Sequence, residues 1–259
     1  GTMLFDSPVL SMEEKSRLFS LCYRKLLFLI QEAPVQDDDM TFYYRAAALA
    51  HINRFISLWR LDHGPFTFTV PRKIAFFPGT FDPFTLSHKG IVHAIRDLGF
   101  EVYLAVDEFS WSKKAQPHLI RRQIVNLSVA GDFHVHLFPD DIPINIANPA
   151  DLKRLREIFA EQEVYIVAGS DVVHNASSYK KEPEENSIHG FNHLIFRRAG
   201  DARPGEIYEC ITGKVEELEL PKSLEDISST RIRENIDKHR DISSLIDPVV
   251  QEYIYHKGL

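Results

Sequence analysis

The chain reads as an α/β protein: a parallel sheet covered by helices on both faces, preceded by an N-terminal helical hairpin. Three observations carry that reading. From Arg72 onward, short apolar runs alternate with amphipathic helical patterns. Strands separated by single helices pair in parallel and must be covered on both sides. Before residue 65 the apolar spacing is helical only. The expected division is therefore a hairpin extension over residues 1–70 and a main domain over residues 71–259.

In order along the chain, Ser11 with Glu14 forms a capping box. Leu18, Leu21, Cys22, Leu26, Leu29 and Ile30 then recur at helical spacing. The polar stretch 36–39 breaks the pattern, and a second helical run covers 40–61. His63-Gly64-Pro65 ends it, and 66–70 reads as a short extended segment. Strands are expected over 74–77, 101–106, 134–138, 164–168 and 192–196. Helices are expected over 87–97, 119–129, 149–160 and 171–179. The third of these starts with Asn148 as cap, Pro149 at the first helical position and Asp151 in the first turn. Residues 206–220 read as an additional strand or hairpin, and two short helices close the domain beyond residue 233.

Composition narrows the function. A net charge of −7 supplies no basic field, so nucleic acid is not an expected partner. Cys22 and Cys210 are far apart and form no metal-spaced pair, which suggests a reducing compartment. No apolar run is long enough to cross a membrane, and the N-terminus lacks a signal-peptide pattern. The expected setting is the cytoplasm, with no membrane partner. Gly1-Thr2 ahead of Met3 reads as an expression remnant.

Two stretches carry chemistry. Phe77-Pro-Gly-Thr-Phe-Asp-Pro-Phe-Thr-Leu-Ser-His88 joins a buried strand to a helix with Ile91, Ile95 and Leu98 on one face. Backbone N–H groups at such a turn and helix start, with the helix dipole, suit an anion. Ile227-Ser-Ser-Thr-Arg-Ile-Arg233 places Ser228, Ser229, Thr230 and, one turn later, Arg233 at another helix start. That arrangement suits phosphate oxygens. Taken alone, the first is better read as a turn histidine with a capping threonine and the second as a well-capped surface helix.

Together, the two resemble the nucleotidyltransferase superfamily, whose pattern is G-[ST]-F-D-P-x-[HT]-x-G-H followed late in the chain by I-S-S-T-x-x-R. From Arg72 on, the arrangement is most similar to nicotinate or nicotinamide mononucleotide adenylyltransferases. The resemblance implies a Rossmann-like fold, ATP as a substrate with Mg²⁺ bridging its phosphates, and small-molecule nucleotide partners. It implies catalytic roles for His88, Thr85 and Arg233, with His88 and Thr85 donating hydrogen bonds to phosphate oxygens. Nucleotide-binding roles fall to Gly79, Thr80, Phe81, Ser87, Ser228, Ser229 and Thr230. Ser87 stands where the pattern has glycine, and could itself cap the helix. Arg231 is expected to face solvent.

Further candidates carried by the resemblance are Lys113 or Lys114 in the loop after the second strand, and Arg121 or Arg122 on the helix that follows. Solvated charges at a helix start explain these four equally well. Trp111 could stack on the acceptor or pack on the fold. Gly169-Ser170-Asp171 resembles the family's G-[AS]-D turn, with Asp171 accepting from sugar hydroxyls or serving as a helix N-terminal acid. Arg197 and Arg198 resemble a late strand-ending arginine. Residues 179–189 read as a mobile, solvent-facing loop, and His134 and His136 as structural. The expected activity is transfer of AMP from ATP to nicotinate or nicotinamide mononucleotide in NAD biosynthesis. Phosphopantetheine adenylyl transfer is the nearest rival, because the 78–83 stretch and Thr85 fit it. A catalytically degenerate nucleotide sensor is the rival from another class, motivated by Ser87 and the extra hairpin. The hairpin's apolar faces imply a further contact, with the main domain or in a homo-oligomer. Enzymes of this kind continue past the position of Leu259, so the chain is expected to be part of a longer protein.

Overall fold

A computed structural model describes residues 2–32, 39–68, 70–107, 115–197, 208–219, 222–225, 227–238 and 240–259. The chain forms two compact units, Gly1–Val70 and Pro71–Leu259.

In the first unit, α1 (Met12–Glu32) and α2 (Asp39–His63) follow a 3-10 turn at Thr2–Asp6. The capping box forms as expected. Ser11 N–H donates to Glu14 Oε2 at 2.8 Å, and Glu14 N–H donates to Ser11 Oγ at 3.2 Å. The core is aromatic: the Phe19 ring lies 4.5 Å from Phe55 and 5.0 Å from Phe66, centroid to centroid. The expected extended segment joins no sheet among its described residues. Phe66 and Phe68 lay their rings on Phe19 instead.

The second unit is built on β1 (Lys73–Gly79), β2 (Glu101–Val106), β3 (Val135–Leu137), β4 (Glu163–Gly169), β5 (Asn192–Phe196) and β6 (Val215–Leu218). Among the described residues these six form one parallel sheet in the order β3-β2-β1-β4-β5-β6. In β1, Ile74, Ala75, Phe76 and Phe77 are all buried, as a strand covered on both faces requires. The connecting and closing helices are α3 (Leu86–Asp97), α4 (His118–Val129), α5 (Pro149–Ile158), α6 (Ser170–Asn175), α7 (Ser177–Lys180), α8 (Lys222–Glu225), α9 (Ser229–Asp237) and α10 (Pro248–Lys257). The strand order runs outward in both directions from the adjacent pair β1 and β4. A crevice therefore opens beyond their carboxyl ends, where Gly79 and Gly169 lie.

Three expectations need correcting, one of them only in part, and one is borne out. The helix expected over 171–179 is two helices, because Asn175 Nδ2 donates to the Asp171 carbonyl and Ala176 turns extended. The late segment contributes the expected additional strand, which pairs parallel to β5. The loop 179–189 faces solvent over residues 180–185, as expected, but is anchored at both ends. Tyr179, Ser187, Ile188 and His189 are buried, and the Tyr179 hydroxyl lies 3.0 Å from His193 Nε2. Past the second motif there is one helix, α10, among the described residues; α9 starts inside the motif.

Candidate active site

The loop from β1 to α3 makes a tight aromatic turn. Phe81 takes φ 47°, in the left-handed region, and its ring folds back over Gly79. A Cβ on Gly79 would sit 2.8 Å from that ring, so any side chain there would displace it. Phe81 and Phe84 are buried, and their ring centroids lie 5.2 and 5.3 Å from that of His88. Phe81 thus walls the His88 imidazole; its own side chain is packed inside rather than offered to a nucleotide.

His88 is fixed by hydrogen bonding as well as by packing. Thr85 caps α3: its Oγ1 accepts the His88 N–H at 3.2 Å, while His88 Nδ1 accepts the Thr85 N–H at 3.0 Å. An accepting Nδ1 places the proton of the neutral ring on Nε2, making that atom the donor. Thr85 is 1% exposed and its hydroxyl is engaged with His88. Thr85 is therefore placed to orient the imidazole, with its hydroxyl hydrogen-bonded to His88. Ser87 is buried inside α3 and is not the cap. Two N–H groups of this helix start are also taken, Leu86 N–H by the Leu245 carbonyl and His88 N–H by Thr85. Fewer free amides therefore remain at this helix start than its sequence suggested.

The second motif docks on the first. Ser228 caps α9, accepting the Arg231 N–H at 3.2 Å. Ser229 Oγ donates to the Pro83 carbonyl at 2.9 Å. Arg233 donates to the Asp82 carbonyl, lies 3.6 Å from Asp82 Oδ2, and reaches Thr230 Oγ1 at 3.3 Å. Although 146 residues separate Pro83 from Ser229, the two stretches share one wall. Arg231 is exposed, as expected.

At the end of β4, Gly169 leads into α6. A Cβ on Gly169 would lie 2.3 Å from Asp171 Oδ1, so the glycine is what lets the Asp171 carboxylate fold back over the strand end. Arg197 ends β5 and pairs with Glu217 on β6. Arg198, Trp111, Lys113 and Lys114 lie outside the described residues.

Arg121 and Arg122 do not present themselves as phosphate ligands. Arg121 is 1% exposed and donates to three backbone carbonyls: Gln116 at 2.8 Å, Thr80 at 2.6 Å and Asp107 at 2.8 Å. Burial pulls its pKa down, opposed by the charges of Asp82 and Asp107. Arg122 donates to the Phe138 carbonyl at 2.9 Å and to Asp140 at 2.6 Å. Their physical role is to tie the Thr80 loop, the end of β2 and the start of α4 together. The sequence suggested charge at a helix start, but nothing in it said that these carbonyls would converge there.

Asp82 was not singled out beforehand either, although it sits in the motif. It is 5% exposed, and Oδ1 accepts the Gln116 N–H at 3.3 Å. Asp107, at the end of β2, is raised in pKa by burial against the charges of Arg121 and His118. Among the described residues no three His, Cys, Asp or Glu side chains gather as a metal site, and no helix is long and apolar enough to cross a membrane.

The cytidylyltransferase-like family model matches residues 76–235, from within β1 to within α9. The chain belongs to that family of nucleotidyltransferases. Its curated relatives include probable nicotinate-nucleotide adenylyltransferases from Chromobacterium violaceum and Flavobacterium psychrophilum. The first is 28% identical, covering 72% of this chain and 98% of the relative. The second is 29% identical, covering 72% and 97%. Among solved structures, Plasmodium falciparum nicotinic acid mononucleotide adenylyltransferase complexed with NaAD aligns with a TM-score of 0.61 at 20% identity. That alignment covers 73% of this chain and 97% of that one. The same enzyme complexed with APC gives 0.59 at 19%. These structures share the Rossmann-like architecture. This cytidylyltransferase-like domain thus carries the first family motif at the end of β1, where its fold class binds nucleotides, with the second motif docked against it from the start of α9.

Proposed function

We propose that this protein transfers AMP from ATP to nicotinate mononucleotide, releasing pyrophosphate and forming a dinucleotide. The observation that carries the reading is the docking of Ser229 on the Pro83 carbonyl and of Arg233 on Asp82, beside His88. One polyphosphate can then span both motifs. The curated relatives support the choice of acceptor, and neighbours complexed with NaAD and APC support a nucleotide in the crevice.

In this reading the acceptor phosphate oxygen attacks the α-phosphorus of ATP, and the bond to the bridging oxygen of pyrophosphate breaks. No covalent enzyme intermediate is needed, so catalysis is alignment plus neutralisation of charge. The His88 Nε2–H donates to the phosphoryl oxygens, held by Thr85 and by the Phe81 and Phe84 rings. Arg233 neutralises the departing pyrophosphate. Thr80 and Ser228 line the approach through their loops, and Asp171 accepts from sugar hydroxyls. Mg²⁺ would be held by the phosphates of ATP and would supply charge neutralisation there; among the described residues no three acidic or histidine ligands gather to hold it directly. The cytoplasm is the setting we assign.

The decisive assay incubates the protein with ATP, Mg²⁺ and each candidate mononucleotide while following pyrophosphate. Release with nicotinate mononucleotide is expected. Release only with phosphopantetheine would replace the acceptor, and ATP binding without any release would point to a sensor. His88→Ala should abolish turnover while leaving the circular dichroism spectrum unchanged; rates like those of the unaltered protein would remove His88 from the mechanism.

A further inference from the structure

Asp82 is an unusual neighbour for a triphosphate site. Its carboxylate is buried, faces Arg233 at 3.6 Å, and its backbone carbonyl accepts from the same guanidinium. A carboxylate there repels polyphosphate and competes for the cation that should bind it. The fold nevertheless holds it in place: Gln116 N–H donates to Oδ1, Arg121 grips the Gln116 and Thr80 carbonyls, and Ser229 grips the Pro83 carbonyl. The group least suited to anion binding is among the most firmly positioned at the site.

We propose that Asp82 is a positioning residue that sets the affinity of the polyphosphate site, by holding Arg233 when the site is empty and competing with pyrophosphate for it. This rests on the proposed function, in which Arg233 meets pyrophosphate. Arg233 exchanges one acceptor for another as ligand arrives, so its charge is not left bare between turnovers. Because the carboxylate stays close, pyrophosphate is held less tightly than Arg233 alone would hold it. Product escape is correspondingly faster. A buried carboxylate kept beside a cationic ligand-binding group acts as a tether on that group's affinity.

Asn at position 82 keeps the shape and an acceptor for Gln116 N–H but removes the negative charge. Pyrophosphate binding to Asp82→Asn, measured by calorimetry, should tighten by about three- to tenfold. Pyrophosphate should inhibit correspondingly better, and kcat should fall if release limits turnover. A residue that merely braced the loop would give the opposite, with weaker binding of both ATP and pyrophosphate on substitution. Unchanged or weaker pyrophosphate binding in a folded Asp82→Asn protein overturns the proposal. Should that variant fail to fold, Arg233→Lys supplies the second arm. Its shorter side chain, with one ammonium in place of the guanidinium fork, loses the contacts with Asp82, so competition is relieved. Raising salt from about 0.05 to about 0.3 M should then weaken pyrophosphate binding more steeply in the variant than in the parent, where salt also screens the competing carboxylate. Equal salt slopes reject the competition. If the parent protein binds neither ATP nor pyrophosphate, the proposed function has failed instead, and the role of Asp82 falls with it.

Discussion

Arg121 illustrates how a side chain's role depends on what its donors meet. Charge at a helix start suggests an anion ligand, yet here the guanidinium satisfies the Thr80, Asp107 and Gln116 carbonyls from within the protein. Removing it strands buried acceptors, each costing about 1–3 kcal/mol. Arg121→Met should therefore lower stability by roughly 3 kcal/mol or more, read as a fall in the denaturation midpoint. Arg121→Lys should recover little, since one ammonium cannot serve three divergent carbonyls. A midpoint unchanged in Arg121→Met would show that the three bonds contribute nothing net. Thr85 and His88 make the complementary case. Their mutual capping was written in the spacing Thr85-x-x-His88, but which ring nitrogen it leaves as donor depends on the folded geometry.

At the level of elements, two buried titratable groups make the sheet sensitive to acid in separate windows. His193 on β5 is fully buried, donating Nδ1–H to the Phe191 carbonyl and facing the Tyr179 hydroxyl with Nε2. Burial chiefly, with the charge of His189 beside it, holds its pKa at about 4, although the Phe191 carbonyl favours the charged form. The unfolded chain binds this proton near pH 6.5 and the native state only near 4. Stability is thus fully present above 6.5 and declines as pH falls toward 4, by up to about 3 kcal/mol. Urea unfolding at pH 7 and pH 4.5 should show the loss, and His193→Gln should flatten it. A parent profile flat over that range would contradict the assignment. Glu101 on β2 behaves differently. Burial acts to raise its pKa, but hydrogen bonds and charge from His136 and then His134 outweigh it and hold the carboxyl at about 2. Its contribution is present above the unfolded value near 4.5 and is lost between there and 2. The two windows barely overlap, so a profile of stability against pH separates them.

For the whole molecule, the net charge of −7 and the few cations around the crevice set different rules for large and small anions. At that net charge a polyanion such as DNA is expected to be repelled, whereas under the proposed function one triphosphate would need only Arg233 and its neighbours. Retention on heparin is expected to be absent at about 0.1 M salt, a concentration at which polyphosphate binding should persist. Firm retention would indicate a basic surface that the overall charge conceals.

Much of this was legible in the sequence because it depends on local periodicity. Strands β2 and β5, the Asn148 cap and the Ser11–Glu14 box follow from spacing and side-chain chemistry within a few residues. Both motifs and the family could be read for the same reason, each being a contiguous string. Long-range convergence could not be read. Pairing β1 with β4, docking Ser229 on Pro83, burying the ends of the 179–189 loop and committing Arg121 to three carbonyls all join residues far apart in the chain. A residue's type states which bonds it can make; only the closed fold decides which partners are within reach to make them.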